Sequence, residues 1–156
     1  MAVVSSLKQQ LRDDLTTAMK ARDQVRSSTL RMVLTAVTNA EVAGKEAIEL
    51  TDEQVLGVLT SEAKKRREAA AAFADGGRAE AAAKEEAELG VILDYLPEQL
   101  GEAEIEALVN EVIDELGVRG EGPRAMGRVM GALQPKVRGR ADGGMVAAQV
   151  KRLLGA

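Results

Sequence analysis

Few side chains in this sequence are equipped for catalysis, because it holds no cysteine and no histidine. That excludes disulfides, zinc sites of the ordinary Cys/His kind, thiolate nucleophiles and any imidazole acid or base. Hydrolytic chemistry would then need serine or threonine beside lysine, or paired carboxylates. Ser27 and Ser28 have no lysine near them in sequence and read as helix-surface or packing residues. The adjacent carboxylates Asp13-Asp14 and Glu85-Glu86 would point roughly 100° apart on a helix, which describes a solvated charged face rather than an acid–base pair. No G-x-x-x-x-G-K-S/T occurs, and the glycines between Gly117 and Gly122 follow a helix rather than a strand. No catalytic residue, metal ligand or cofactor is expected.

Basic residues are the better candidates. Lys64-Lys65-Arg66-Arg67 would wrap most of a helical turn, so only part could face one ligand, and pairing such as Lys64 with Glu68 is the simpler use. Toward the C-terminus, Arg124 and Arg128 stand four apart on one helical face. Lys136 follows, and Arg138 and Arg140 flank Gly139 in a turn before a helix start. Guanidinium forks and free helix N-terminal amides both suit phosphate oxygens, although Asp142 as a cap would occupy part of the amides. Residues 117–156 carry eight Lys and Arg against two acids, a local charge of +6, whereas residues 98–116 carry seven acids and no base. With Phe73 and Tyr95 the only aromatics, stacking on bases is disfavoured. RNA contact would then be to backbone and shape, with modest and salt-sensitive affinity.

The elements that must position these residues read as helices throughout. Scarce aromatics and abundant alanine and leucine among 156 residues lean away from strands. Ser5 or Ser6 caps a first helix with Leu7, Leu11, Leu15 and Ala18 on one face, ending near Arg22. Asp23 caps a second with a wide apolar stripe from Val25 to Ala40. Thr51 and Gln54 have capping-box spacing, opening a third helix from Asp52 to about Asp75. The Gly76-Gly77 break and a resumed pattern from Arg78 to Leu96 make an antiparallel hairpin. Pro97 marks the domain boundary, giving a four-helix domain over 1–96 and a small three-helix domain over 97–156. In the second domain, residues 102–116 form one helix. A second starts at Pro123, carries Met126, Val129, Met130 and Leu133, and is ended by Pro135. Asp142 caps a third. Gly127 and Gly131 are expected to let that second helix pack closely. No basic-then-apolar run opens the chain and no stretch approaches the roughly 20 apolar residues of a bilayer span, so a cytoplasmic protein is expected.

The segment Met19-Lys20-Ala21-Arg22-Asp23, with Arg26 and Thr29-Leu30-Arg31-Met32, resembles the opening helices of the YqeY family. Tyr95-Leu96-Pro97-Glu98-Gln99-Leu100, Met126-Gly127-Arg128-Val129-Met130 and Gly139-Arg140-Ala141-Asp142-Gly143 resemble its other hallmarks, in order, along nearly the whole chain. Gly127, Val129, Met130, Gly139 and Asp142 are the structural part of that motif. Arg124-Ala125 departs from the pattern, where an acidic or capping residue would be expected. The family is similar to the C-terminal tail of the GatB subunit of tRNA-dependent amidotransferases. The resemblance therefore implies a two-domain helical fold and a label of carbon–nitrogen ligase with glutamine as amido donor, but not that chemistry. Neither the amidase-type Ser-Ser-Lys site nor the kinase-like domain that such chemistry requires is expected within these 156 residues.

Three functional expectations follow. The first is a tRNA-associated accessory protein, not catalytic alone, that contacts the RNA backbone through Arg124, Arg128, Lys136, Arg138 and Arg140. The second is a module that docks on amidotransferase subunits or an aminoacyl-tRNA synthetase without touching RNA. The third is an enzyme in its own right, for which no residue is nominated.

Overall fold

The computed structural model describes residues 6–155, and among them it holds seven α-helices and no strand. They are α1 (Ser6–Lys20), α2 (Gln24–Glu41), α3 (Asp52–Asp75), α4 (Ala79–Leu93), α5 (Glu102–Leu116), α6 (Met126–Val137) and α7 (Gly143–Leu153). A 3-10 turn, Gly122–Ala125, leads into α6. The chain divides into two compact units, Met1–Leu96 and Pro97–Ala156. The protein is all-α.

In the first unit the expected caps form. Asp23 accepts from the Arg26 amide at 3.1 Å, and Thr51 and Gln54 exchange hydrogen bonds as a complete capping box. Each such cap satisfies amides that a helix start leaves unpaired, at roughly 1 kcal/mol. Of the two caps expected for α1, Ser6 is not one. Ser6 is already helical, and its hydroxyl donates to Asp52 at 2.6 Å while the Leu7 amide donates to the same carboxylate at 3.0 Å. The alternative cap, Ser5, lies outside the described residues. Gly76-Gly77 joins α3 to α4, with Gly77 at φ +75°, a region where only glycine is unstrained. Ala70 and Ala82 are buried in that hairpin, and Leu11, Leu30, Val33, Leu59 and Ile92 belong to the core cluster of this unit. Val25, expected on the apolar stripe of α2, is 44% exposed.

Charges are also taken into this unit. Lys8, 3% exposed, meets Glu41 and Glu49, and the Glu41 carboxylate also accepts from the Leu50 amide at 3.1 Å. Arg66 lies at 3.2 Å from Glu85 and 3.3 Å from Glu88 across the α3–α4 hairpin. Only the Glu88 contact has hydrogen-bond geometry, so the Glu85 contact is electrostatic. Within the basic run, Lys64 reaches Glu68 at 4.0 Å, the i to i+4 pair expected from the sequence.

In the second unit Ile105, Val109, Ile113, Val129, Leu133, Val146 and Val150 pack as one cluster. Two expectations fail here. Pro135 does not end α6, which runs on to Val137. Its ring costs the Gly131 carbonyl its helical donor, a loss tolerable because both residues are on the exposed side. Gly127 and Gly131 do not serve close packing within this unit: both are exposed, and a Cβ at either would meet nothing within 4 Å.

Candidate functional site

The five basic residues nominated from the sequence separate into two groups. Arg124, in the 3-10 turn, Arg128, on α6, and Arg138, just beyond its end, are all exposed. Gly127, Arg128, Gly131 and Pro135 recur at helical spacing on the solvent side of α6, opposite the buried Val129, Leu133 and Val137. Arg128 donates to Glu121 at 3.0 Å from a side chain 58% exposed, a contact worth little against water. This face therefore carries Arg124, Arg128 and Arg138 along its length, with two glycines that place no side chain between them.

Lys136 and Arg140 are engaged elsewhere. Lys136 lies 3.8 Å from Glu111 and 3.9 Å from Glu115 on α5. Arg140 Nε donates to the Glu98 carbonyl at 3.2 Å, and its own carbonyl accepts from the Leu100 amide at 2.8 Å. Gln99 adds bonds to the carbonyls of Pro97 and Gly139 at 2.8 and 2.7 Å. The segment from Pro97 to Leu100 is thus fastened to the turn Arg138-Gly139-Arg140, in which Gly139 sits at φ +72°. Asp142 stands at the cap position of α7 but its side chain makes no capping hydrogen bond.

The +6 of residues 117–156 is also offset locally. Arg119 pairs with Asp114 at 2.8 Å and Arg152 with Glu106 at 3.4 Å, so the acidic α5 answers much of the basic charge that follows it. Residues 97–156 together hold eight bases and nine acids, a net charge of −1. Any affinity for phosphates must come from local placement rather than from the charge of the whole unit.

Sequence reasoning missed a second cluster, in the first unit. The Tyr95 hydroxyl donates to Asp14 at 2.6 Å, and Arg26 donates to Asp94 at 2.8 Å. Burial and the hydrogen bond to Asp14 push the Tyr95 phenol well above its ordinary value, and the bond to Asp94 raises that of Arg26. Asp14 is thereby separated from Asp13, which accepts from Gln9 at 3.0 Å, so the adjacent carboxylates do diverge. The Ser28 hydroxyl is donated to the Val25 carbonyl at 3.2 Å. No group of three or more carboxylates able to hold a metal occurs among the described residues.

A family model described as Yqey-like protein matches residues 8–154. The chain is 29% identical to a protein of Pyrenophora tritici-repentis named altered inheritance of mitochondria protein 41, mitochondrial, over 94% of this chain and 80% of that one. Proteins of the same name from Lachancea thermotolerans and Saccharomyces cerevisiae are 31% and 30% identical, over 68% and 81% of this chain. The match spans 57% of the former's own length and 69% of the latter's. These names overturn the expected cytoplasmic location, because all three relatives are mitochondrial by name. The reason for the error is physical: that no helix among the described residues is long and apolar enough to cross a membrane does not distinguish one aqueous compartment from another. The family match runs from the first helix to the last and takes in every segment on which the resemblance was read, and the chain belongs to the YqeY-like family.

Proposed function

We propose that this protein is a tRNA-associated accessory factor whose second unit contacts the RNA backbone through the exposed face of α6. The observation that carries this reading is the arrangement of Arg124, Arg128 and Arg138 around Gly127 and Gly131. Glycine inside an exposed helix costs roughly 0.5–1 kcal/mol relative to alanine, and at Gly127 no neighbour in the chain needs the missing Cβ. A surface without side-chain bulk lets a ligand backbone come close to the helix, and flanking guanidinium groups supply donors for phosphate oxygens. Lys136 and Arg140 fall outside the contact set because they point away from this face, Lys136 toward Glu111 and Glu115 of α5 and Arg140 toward the Glu98 carbonyl.

The likeness of the family to the tail of an amidotransferase subunit supports tRNA as the RNA class. In this reading the carbon–nitrogen ligase label belongs to the larger assemblies and is not an activity of this chain. The relatives' names support a mitochondrial setting. The test is binding of bulk tRNA to the intact protein and to the variant carrying Arg124→Ala, Arg128→Ala and Arg138→Ala. Loss in the variant supports backbone contact by α6. Unchanged binding would remove α6 from the interface, and no binding by the intact protein at low salt would leave docking on an amidotransferase or synthetase as the better reading.

A further inference from the structure

A groove of about 650 Å³ opens at the turn between α1 and α2 and is lined by Met19, Arg22, Asp23, Val25, Arg31 and Lys84, with Ser27 and Ser28 among the rest. Two large apolar side chains, Met19 and Val25, are 50% and 44% exposed there. Three cations share the same walls. The one acid, Asp23, already has its carboxylate engaged by the Arg26 amide at 3.1 Å. Unlike Lys8, Arg26 and Arg66, the groove's Arg22, Arg31 and Lys84 form no ion pair with a carboxylate among the described residues.

The backbone at Arg22 is the second observation. The Arg22 amide donates to the Met19 carbonyl at 3.1 Å and the Asp23 amide to the Ala18 carbonyl at 3.0 Å, the two bonds of a Schellman helix end. The residue at its left-handed position is ordinarily glycine. Here it is Arg22 at φ +58°, the one non-glycine with positive φ among the described residues. Left-handed backbone is unfavourable for a residue with a Cβ, and glycine would relieve it. An arginine held in a strained position that glycine would fill better points to a use for its side chain.

We propose that this groove docks an acidic, amphipathic peptide segment of a partner protein, with Arg22, Arg31 and Lys84 taking its carboxylates and Met19 and Val25 taking its apolar side chains. Arginine presents a fork that matches a carboxylate in two places, and methionine adapts to varied apolar shapes. Both residue types are enriched where proteins meet. A nucleic-acid backbone would satisfy the cations but would leave Met19 and Val25 uncovered, and the groove has no aromatic on which a base could stack. A peptide accounts for both halves of the lining.

The test is selection of phage-displayed random dodecapeptides on the intact protein, followed by titration of the enriched peptides against Arg22→Gly and Arg31→Ala. The expected result is a consensus mixing Asp or Glu with Leu, Ile or Phe, and at least tenfold weaker binding by each variant. Because Arg22→Gly relieves backbone strain, its melting temperature should not fall, so lost binding cannot be ascribed to unfolding. No enrichment, a consensus without acids, or equal binding by Arg22→Gly would overturn the proposal. So would protection of Arg22 and Arg31 by bulk tRNA rather than by the selected peptides, which would make the groove a nucleic-acid site.

Discussion

The Lys8 ammonium donates to both oxygens of the Glu41 carboxylate, at 2.9 and 2.8 Å, with the two side chains 4% and 10% exposed. Two charges this far out of water hold each other, and removing one leaves the other unpaired in a poor solvent. Lys8→Met is therefore expected to cost about 3 kcal/mol of stability, read as a lower urea midpoint. The double variant Lys8→Met with Glu41→Gln should recover part of that loss, because the Leu50 amide keeps an acceptor while no buried charge is orphaned.

The same pair sets a pH dependence. The hydrogen bond from Lys8 holds the Glu41 carboxyl below its ordinary 4.5, so this contribution is present above that value and is lost as pH falls through the lowered one. The bond to Glu41 holds Lys8 above its ordinary 10.5, so this contribution is present below that value and is lost as pH rises through the raised one. Urea midpoints across acid pH should fall less steeply in the double variant than in the wild type.

Tyr95 is the chain's one tyrosine, so its phenol can be followed alone. Burial and Asp14 keep it protonated beyond its ordinary 10.0, and phenolate absorbance should appear only above that pH in the folded protein. Stability should decline with rising pH in that range, since the unfolded chain releases the proton first. Tyr95→Phe should cost about 1–1.5 kcal/mol by removing the bond to Asp14.

Two glycine-related substitutions should stabilise the protein. Arg22→Gly should add about 0.5–1 kcal/mol by relieving the left-handed backbone. Gly127→Ala should add a similar amount by raising helix propensity where a Cβ meets nothing. If α6 approaches RNA closely, Gly127→Ala should also weaken tRNA binding while making the protein harder to melt. A gain in stability with unchanged binding would detach Gly127 from the interface.

Much of the fold was legible because its signals are local. Asp23, Thr51 with Gln54, and Gly76-Gly77 act within a few residues of themselves, and α3 spans the residues its pattern indicates. What escaped depends on distant partners. Nothing near Lys8 in sequence points to Glu41, and nothing near Asp52 points to the Leu7 amide that its carboxylate accepts from. Pro135 reads as a helix stop because its penalty is local, whereas its tolerance depends on which side of α6 faces water. The basic residues of the second unit show the same division. Spacing put Arg124 and Arg128 on one face, but only the packing of α6 and of the Arg138-Gly139-Arg140 turn commits Lys136 to α5 and Arg140 to the Glu98 carbonyl.

The most direct measurement is a salt series of bulk tRNA binding to the intact protein and to the Arg124→Ala, Arg128→Ala, Arg138→Ala variant. Backbone contact predicts a dissociation constant on the order of micromolar to a hundred micromolar that rises with salt. The variant should bind more weakly and its log–log salt slope should be shallower by about 2–3, one unit for each phosphate contact removed. Binding whose salt slope is the same in both proteins would contradict the account, because the cations on the exposed face of α6 would then touch no phosphate.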